Sequence, residues 1–163
     1  LGNAYNENSD FDEAVEVLED LFDLDRNNYR VAMLISDNSM ELDKFDDAYE
    51  WASKALKISK NNAETLAHMG NLYYKAMQTC RGDNFSRSDK AVALLAYNYF
   101  AQAEKKGNSK YFKQKRWLEE NDVLFGRADW FMLDKDIQAT GRVSPAGRCY
   151  DWVSESLTKQ SDW

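Results

Sequence analysis

Apolar residues recur three and four positions apart through the first two thirds of the chain, with acidic and amide residues in the intervals. Phe11, Ala14, Val15, Leu18, Leu21 and Phe22 fall on one such stripe, which predicts an amphipathic helix over 11–22. Ser9 or Asp10 stands where its cap is needed, and Asp12 and Glu13 suit the positive end of the helix dipole. The same pattern predicts helices over 29–41, over 45–59 with Phe45, Ala48, Ala52, Ala55 and Leu56 inward, and over 63–76 with Leu66, Met69, Gly70 and Tyr73 on one face.

These segments repeat. Phe11 and Ala14 return 34 positions later as Phe45 and Ala48, Arg26-Asn27-Asn28 returns as Lys60-Asn61-Asn62, and Gly2 and Tyr5 return two periods on as Gly70 and Tyr73. A period of about 34 residues is the spacing of stacked helix-turn-helix units. Ala96, Phe100 and Ala103 have the spacing of Ala48, Ala52 and Ala55 but arrive 14 residues late, so a loop or helical extension is expected around 79–90. Small residues at Ala14, Ala48, Gly70 and Ala96 let neighbouring helix backbones approach, while Tyr5, Tyr73 and Phe100 fill the gaps between units. One helix pair cannot bury its apolar face alone, so stability has to come from contacts between units.

Leu1-Gly2-x-x-Tyr5 followed by Ala14, Met69-Gly70-x-x-Tyr73, and Ala96-x-x-x-Phe100-x-x-Ala103 together resemble the tetratricopeptide repeat (TPR). Ser36 and Ser39 stand at the motif's Gly and Tyr positions in the middle unit, Ala32 and Leu66 at its Trp position, and Arg26 and Lys60 at its usual Pro. The resemblance covers residues 1–108 and implies an all-α, right-handed helix-turn-helix solenoid. It comprises about three units, the first truncated and the third carrying the insertion near 79–90. Because Leu1-Gly2 falls mid-helix in the family pattern, earlier residues are expected to precede this sequence.

The resemblance also implies a concave groove lined by first helices. Carried over residue by residue, the groove comprises Asn3 and Asn6, then Arg30, Met33, Asp37 and Met40, then Glu64, Ala67, His68, Asn71 and Tyr74. Asn3 and Asn71 can donate and accept toward a peptide backbone, Met33 and Met40 adapt to apolar side chains, and Arg30 can fork onto a carboxylate. The Lys, Asn and Arg set with which some family members hold a C-terminal carboxylate is not reproduced, since Met33, Asp37 and Glu64 stand in its place. The expected function is therefore a non-catalytic protein–protein interaction module for a peptide or protein segment of mixed or basic, partly apolar character.

Residues 109–163 form the second expected region. Residues 111–122 predict a helix burying Trp117 and Leu118, and four of the five Trp residues lie in this third. A capping segment is the plain reading, since terminal units of arrays are atypical. Gly141 to Gly147 breaks the chain, and Ser144 as cap with Pro145 at the first position predicts a final helix with Cys149, Trp152, Val153 and Leu157 inward. The alternative function is a structural scaffold subunit that docks on other subunits through this aromatic third.

Charge and chemistry narrow the reading. Lys+Arg 21 against Asp+Glu 28 gives a net charge of −7 without a basic stripe, which argues against nucleic acid as partner. The basic run from Lys105 to Arg116 reads as a solvated helix face, and Arg81-Gly82-Asp83 as a chance tripeptide. No run is long and apolar enough for a membrane span, and no targeting segment is visible, so a soluble chain is expected, the cytoplasm being favoured as its compartment. His68 is the only histidine and reads as a groove-lining or partly buried residue rather than a general base. Cys149 reads as inert packing and Cys80 as a loop thiol. Neither has metal-ligand spacing, and no cofactor is expected.

Overall fold

The computed structural model describes residues 11–147 and 149–163. Asn3, Asn6, the Leu1-Gly2-x-x-Tyr5 half-motif and the Ser9 or Asp10 cap lie outside the described residues. The chain is mostly helical. Six helices come first: α1 (Phe11–Leu24), α2 (Tyr29–Glu41), α3 (Phe45–Ser59), α4 (Ala63–Cys80), α5 (Arg87–Lys105) and α6 (Phe112–Glu120). Each packs on the next in sequence, and α2 also touches α4. Two short helices follow, α7 (Arg127–Phe131) and α8 (Lys135–Thr140), then strands β1 (Arg142–Val143) and β2 (Leu157–Thr158), paired antiparallel with Arg142 opposite Thr158.

Local chemistry repeats at the same interval as the sequence pattern. Asn28 caps α2 by accepting from the Val31 amide at 3.3 Å, and Asn62 caps α4 by accepting from the Thr65 amide at 2.9 Å. Each amide oxygen satisfies a backbone donor that the first helical turn leaves without an internal partner. Lys60 ends α3 in the left-handed conformation.

The insertion is distributed rather than looped out. Helix α4 runs 18 residues where α2 runs 13, the connection Arg81–Ser86 is longer than Leu42–Lys44, and α5 begins well before Ala96. Ser86 and Asp89 close this early start with a reciprocal capping box.

The departures from the repeat motif have structural accounts. Gly70 faces α5 so closely that an added Cβ would lie 2.6 Å from Phe100 Cδ1 and 3.2 Å from the Ala96 carbonyl oxygen. One period earlier, Ser36 faces α3, and its Oγ donates to the Ala48 carbonyl at 2.8 Å. A hydroxyl thus converts the close approach that glycine permits into a hydrogen bond. Ser39, likewise buried, donates to Ile35.

A small core cluster joins Leu18, Phe22, Val31, Ala32, Ile35 and Ala55 from α1, α2 and α3. A much larger one runs from Met40 and Phe45 through α4 and α5 to Trp163.

The last third departs most from expectation. No helix starts at Pro145. Residues 149–163 instead form a strap of turns and one short strand lying against α3, α4 and α5. Trp152 stacks on Tyr73 with ring centroids 5.7 Å apart and also meets Phe45 and Tyr49. Tyr49 and Ser154 share a hydroxyl hydrogen bond of 2.7 Å. Val153 and Leu157 are buried as expected, but from a segment of turns and one short strand rather than from a helix. Cys149 is exposed and forms a disulfide with Cys80 at the end of α4, Cα atoms 6.0 Å apart, so it is not inert packing and Cys80 is not a free thiol. Of the two side chains expected in the core from α6, Leu118 is buried and Trp117 half-buried.

Candidate functional site

Helices α2 and α4 lie side by side one repeat apart. Tyr29 Oη donates to Glu64 at 3.0 Å, Lys75 Nζ donates to Glu41 at 2.6 Å, and His68 Nε2 meets Ser36 Oγ at 2.9 Å. All three bonds join positions separated by close to one period. Arg30 stands at the exposed rim with Nε 3.9 Å from Glu64.

Between the two helices is a recess of about 240 Å³. Met33 and Asp37 line it from α2, and Glu64, Ala67 and His68 from α4. These five were expected on one face, and the fold brings them together. The far wall, Asn108, Lys110 and Tyr111, comes from the turn between α5 and α6 and was not anticipated. Its one sequence signal is Gly107, whose φ of 89° turns the chain out of α5 and back over the recess.

Other expected groove residues are placed elsewhere. Met40 is 2% exposed and belongs to the core, because near the end of α2 its apolar thioether joins the cluster of Phe45, Leu72 and Tyr73. Tyr74 packs edge-on against Trp117 of α6 at 6.0 Å, which closes that end of the face. Asn71 is half-buried. His68, anticipated as groove-lining or partly buried, lines the recess with only 3% exposure.

Ser36, His68 and Asp37 stand in the order of a nucleophile, base and acid, with His68 Nδ1 3.5 Å from Asp37. The hydrogen bonds assign them another role. Ser36 is fully buried and commits its proton to the Ala48 carbonyl, so His68 Nε2–H must donate to Ser36 Oγ and cannot take a proton from it. Nδ1 is then left facing Asp37 across the recess. Burial holds His68 below the usual imidazole range, opposed by the Asp37 charge, and burial pushes Asp37 above the usual carboxylate range, opposed by His68 and Lys110. Burial thus works against the charged form of each. Asp37 and Glu64 bring two carboxylates to the recess and Lys110 one ammonium group.

Among the described residues no group of three or more His, Cys, Asp or Glu side chains gathers as a metal ion would require, and no helix is long and apolar enough to cross a membrane. No protein-family model matches the chain, and no curated protein matches it in sequence.

Proposed function

We propose that residues 1–108 are tandem helical hairpins of the TPR type, stacked in a right-handed solenoid, and that the α2–α4 face is a non-catalytic binding site for a peptide or protein segment. The observation that carries this reading is the recess in which Met33, Asp37, Glu64, Ala67 and His68 converge. The contact between α2 and α4, equivalent helices one period apart, supports the stacking. Met33 and Tyr111 offer apolar contact and the two carboxylates offer charge, so the segment that fits is a basic side chain flanked by apolar ones.

The aromatic third bears on the scaffold alternative. Phe125, Trp130, Tyr150 and Trp163 are all buried in the chain's own core, which leaves Phe112, Phe131, Met132 and Ile137 as its exposed large apolar side chains among the described residues. The Cys80–Cys149 disulfide supports an oxidising compartment over the cytoplasm that the sequence favoured.

The test is capture of binding partners by the intact chain, followed by competition with short Lys-containing peptides. Asp37→Lys and Glu64→Lys, which reverse the two carboxylates lining the recess, should abolish capture while helicity by circular dichroism stays unchanged. Undiminished capture by both variants would remove the α2–α4 face from consideration.

A further inference from the structure

A second recess, of about 570 Å³, lies away from the α2–α4 face, where the first turn of α5 meets α8, β1 and the strap. We infer that this recess is a binding site for a small aliphatic anion, a carboxylate or phosphate head carried on a saturated chain, with Arg87 and Arg142 holding the head.

Three observations converge. The first is charge. In a chain of net charge −7, two arginines line this recess and, among the described residues, no carboxylate does. Arg87 commits one nitrogen to the Met132 carbonyl at 2.7 Å, which fixes its guanidinium and leaves the other donors of the fork available. Arg142 makes no ion pair among the described residues. Arginine matches carboxylate and phosphate geometry with paired donors, and both side chains are exposed to an incoming anion.

The second is the aliphatic part of the lining. Leu133, Ile137 and Val143 are aliphatic and no aromatic ring lines the recess, so it suits a flexible hydrocarbon chain rather than a planar ring that would stack. Ile137 is one of the few large apolar side chains the molecule leaves exposed, at 39%. A volume of this size is within the range of small-molecule sites.

The third is that the frame is built from satisfied bonds. Ser88 Oγ accepts from the Ala146 amide at 3.0 Å, Thr140 Oγ1 donates to the Ile137 carbonyl at 2.7 Å and accepts from the Arg142 amide at 3.1 Å, and the Lys159 amide donates to Gly141 at 2.8 Å. The capping box of Ser86 and Asp89 already occupies the start of α5, so the anion's partners are the guanidinium groups and not the helix terminus.

The experiment is calorimetric titration of the intact, disulfide-bonded chain with four probes: octanoate, octyl phosphate, 1-octanol and inorganic phosphate. Saturable binding of octanoate or octyl phosphate at one site, at least tenfold tighter than either octanol or inorganic phosphate, is the expected result, and the tighter of the two identifies the head group. Arg142→Gln should weaken that binding about tenfold, the scale of a lost charge-assisted hydrogen bond. Arg87→Gln also disturbs the Met132 contact, so Ile137→Asp serves as the second variant. It introduces a negative charge at an exposed position and should abolish binding of both anions with helicity unchanged. Octanol binding as tightly as octanoate, no saturable binding of either anion, or anion binding indifferent to both Arg142→Gln and Ile137→Asp would each overturn the proposal.

Discussion

Tyr73, buried in the middle of α4, donates its hydroxyl proton to Glu155 of the C-terminal strap at 2.8 Å, across 82 residues of sequence. Tyr99 of α5 donates to the same carboxylate oxygen, also at 2.8 Å. One acceptor therefore ties the strap to both helices of the third hairpin. Burial and the neighbouring Glu155 carboxylate both push the two phenols above their ordinary range, so they remain protonated donors.

Glu155→Leu should destabilise the chain by about 1–3 kcal/mol, the cost of leaving a buried hydroxyl without a partner. Glu155→Gln keeps an acceptor and should lose less. Adding Tyr73→Phe to Glu155→Leu removes the orphaned hydroxyl and should recover part of the loss. Urea unfolding of the four proteins checks this, and an unchanged midpoint in Glu155→Leu would contradict the anchoring role.

The Cys80–Cys149 bond joins the end of α4 to the start of the strap over a sequence separation of 69. Closing a loop of that length in the unfolded chain stabilises the fold by about 4 kcal/mol in the chain-entropy account. Reduction, or Cys149→Ser, should lower the melting temperature by about 8–16 °C on the scale that relates stability to melting in a domain of this size (about 2–4 °C per kcal/mol). A melting curve indifferent to dithiothreitol would show that the bond contributes nothing.

Gly70→Ala places a Cβ 2.6 Å from the Phe100 ring. Alanine's higher helix propensity favours the substitution by about 1 kcal/mol, but overpacking between α4 and α5 costs about 1–3 kcal/mol, so the net effect should be a loss. Phe100→Leu in the same chain should relieve part of the clash. Thermal melts of the single and double variants decide the matter, and a stabilised Gly70→Ala would show that the ring gives way freely.

Acid should weaken the fold through His68. Its folded value is held below the ordinary one by burial, so the unfolded chain binds the proton first as pH falls. Its contribution is complete above the unfolded value near ~6.5 and is lost as pH drops below it, by at most about 1.4 kcal/mol per pH unit. Asp37 runs the opposite way, since its raised folded value means that its adverse contribution fades with acid. His68→Gln retains a donor toward Ser36 and should flatten the decline between pH 7 and 5. Parallel pH profiles for the two proteins would assign the acid sensitivity to other groups.

Periodicity along the chain set the helices and their register. The stripes of Ala48, Ala52 and Ala55 and of Leu66, Met69 and Tyr73, the caps Asn28 and Asn62, and the small residue at Gly70 are all consequences of burial and backbone satisfaction within a few residues, which a local pattern records. The same pattern grouped Met33, Asp37, Glu64, Ala67 and His68 on one face. It misplaced Met40, because an apolar residue at a groove position is also what a core accepts. The tertiary structure alone decided the path of the last third. The links from Cys80 to Cys149, from Tyr73 and Tyr99 to Glu155, and from Trp152 to Phe45 join positions between 56 and 107 residues apart. A pairing at that distance leaves no periodic trace near either partner, so the spacing of Trp152, Val153 and Leu157 resembled a helix while long-range contacts held them in an extended strap. The wall of Lys110 and Tyr111 over one recess and the lining of the other by both Arg87 and Arg142 have the same origin, since each depends on where two separately encoded segments come to rest.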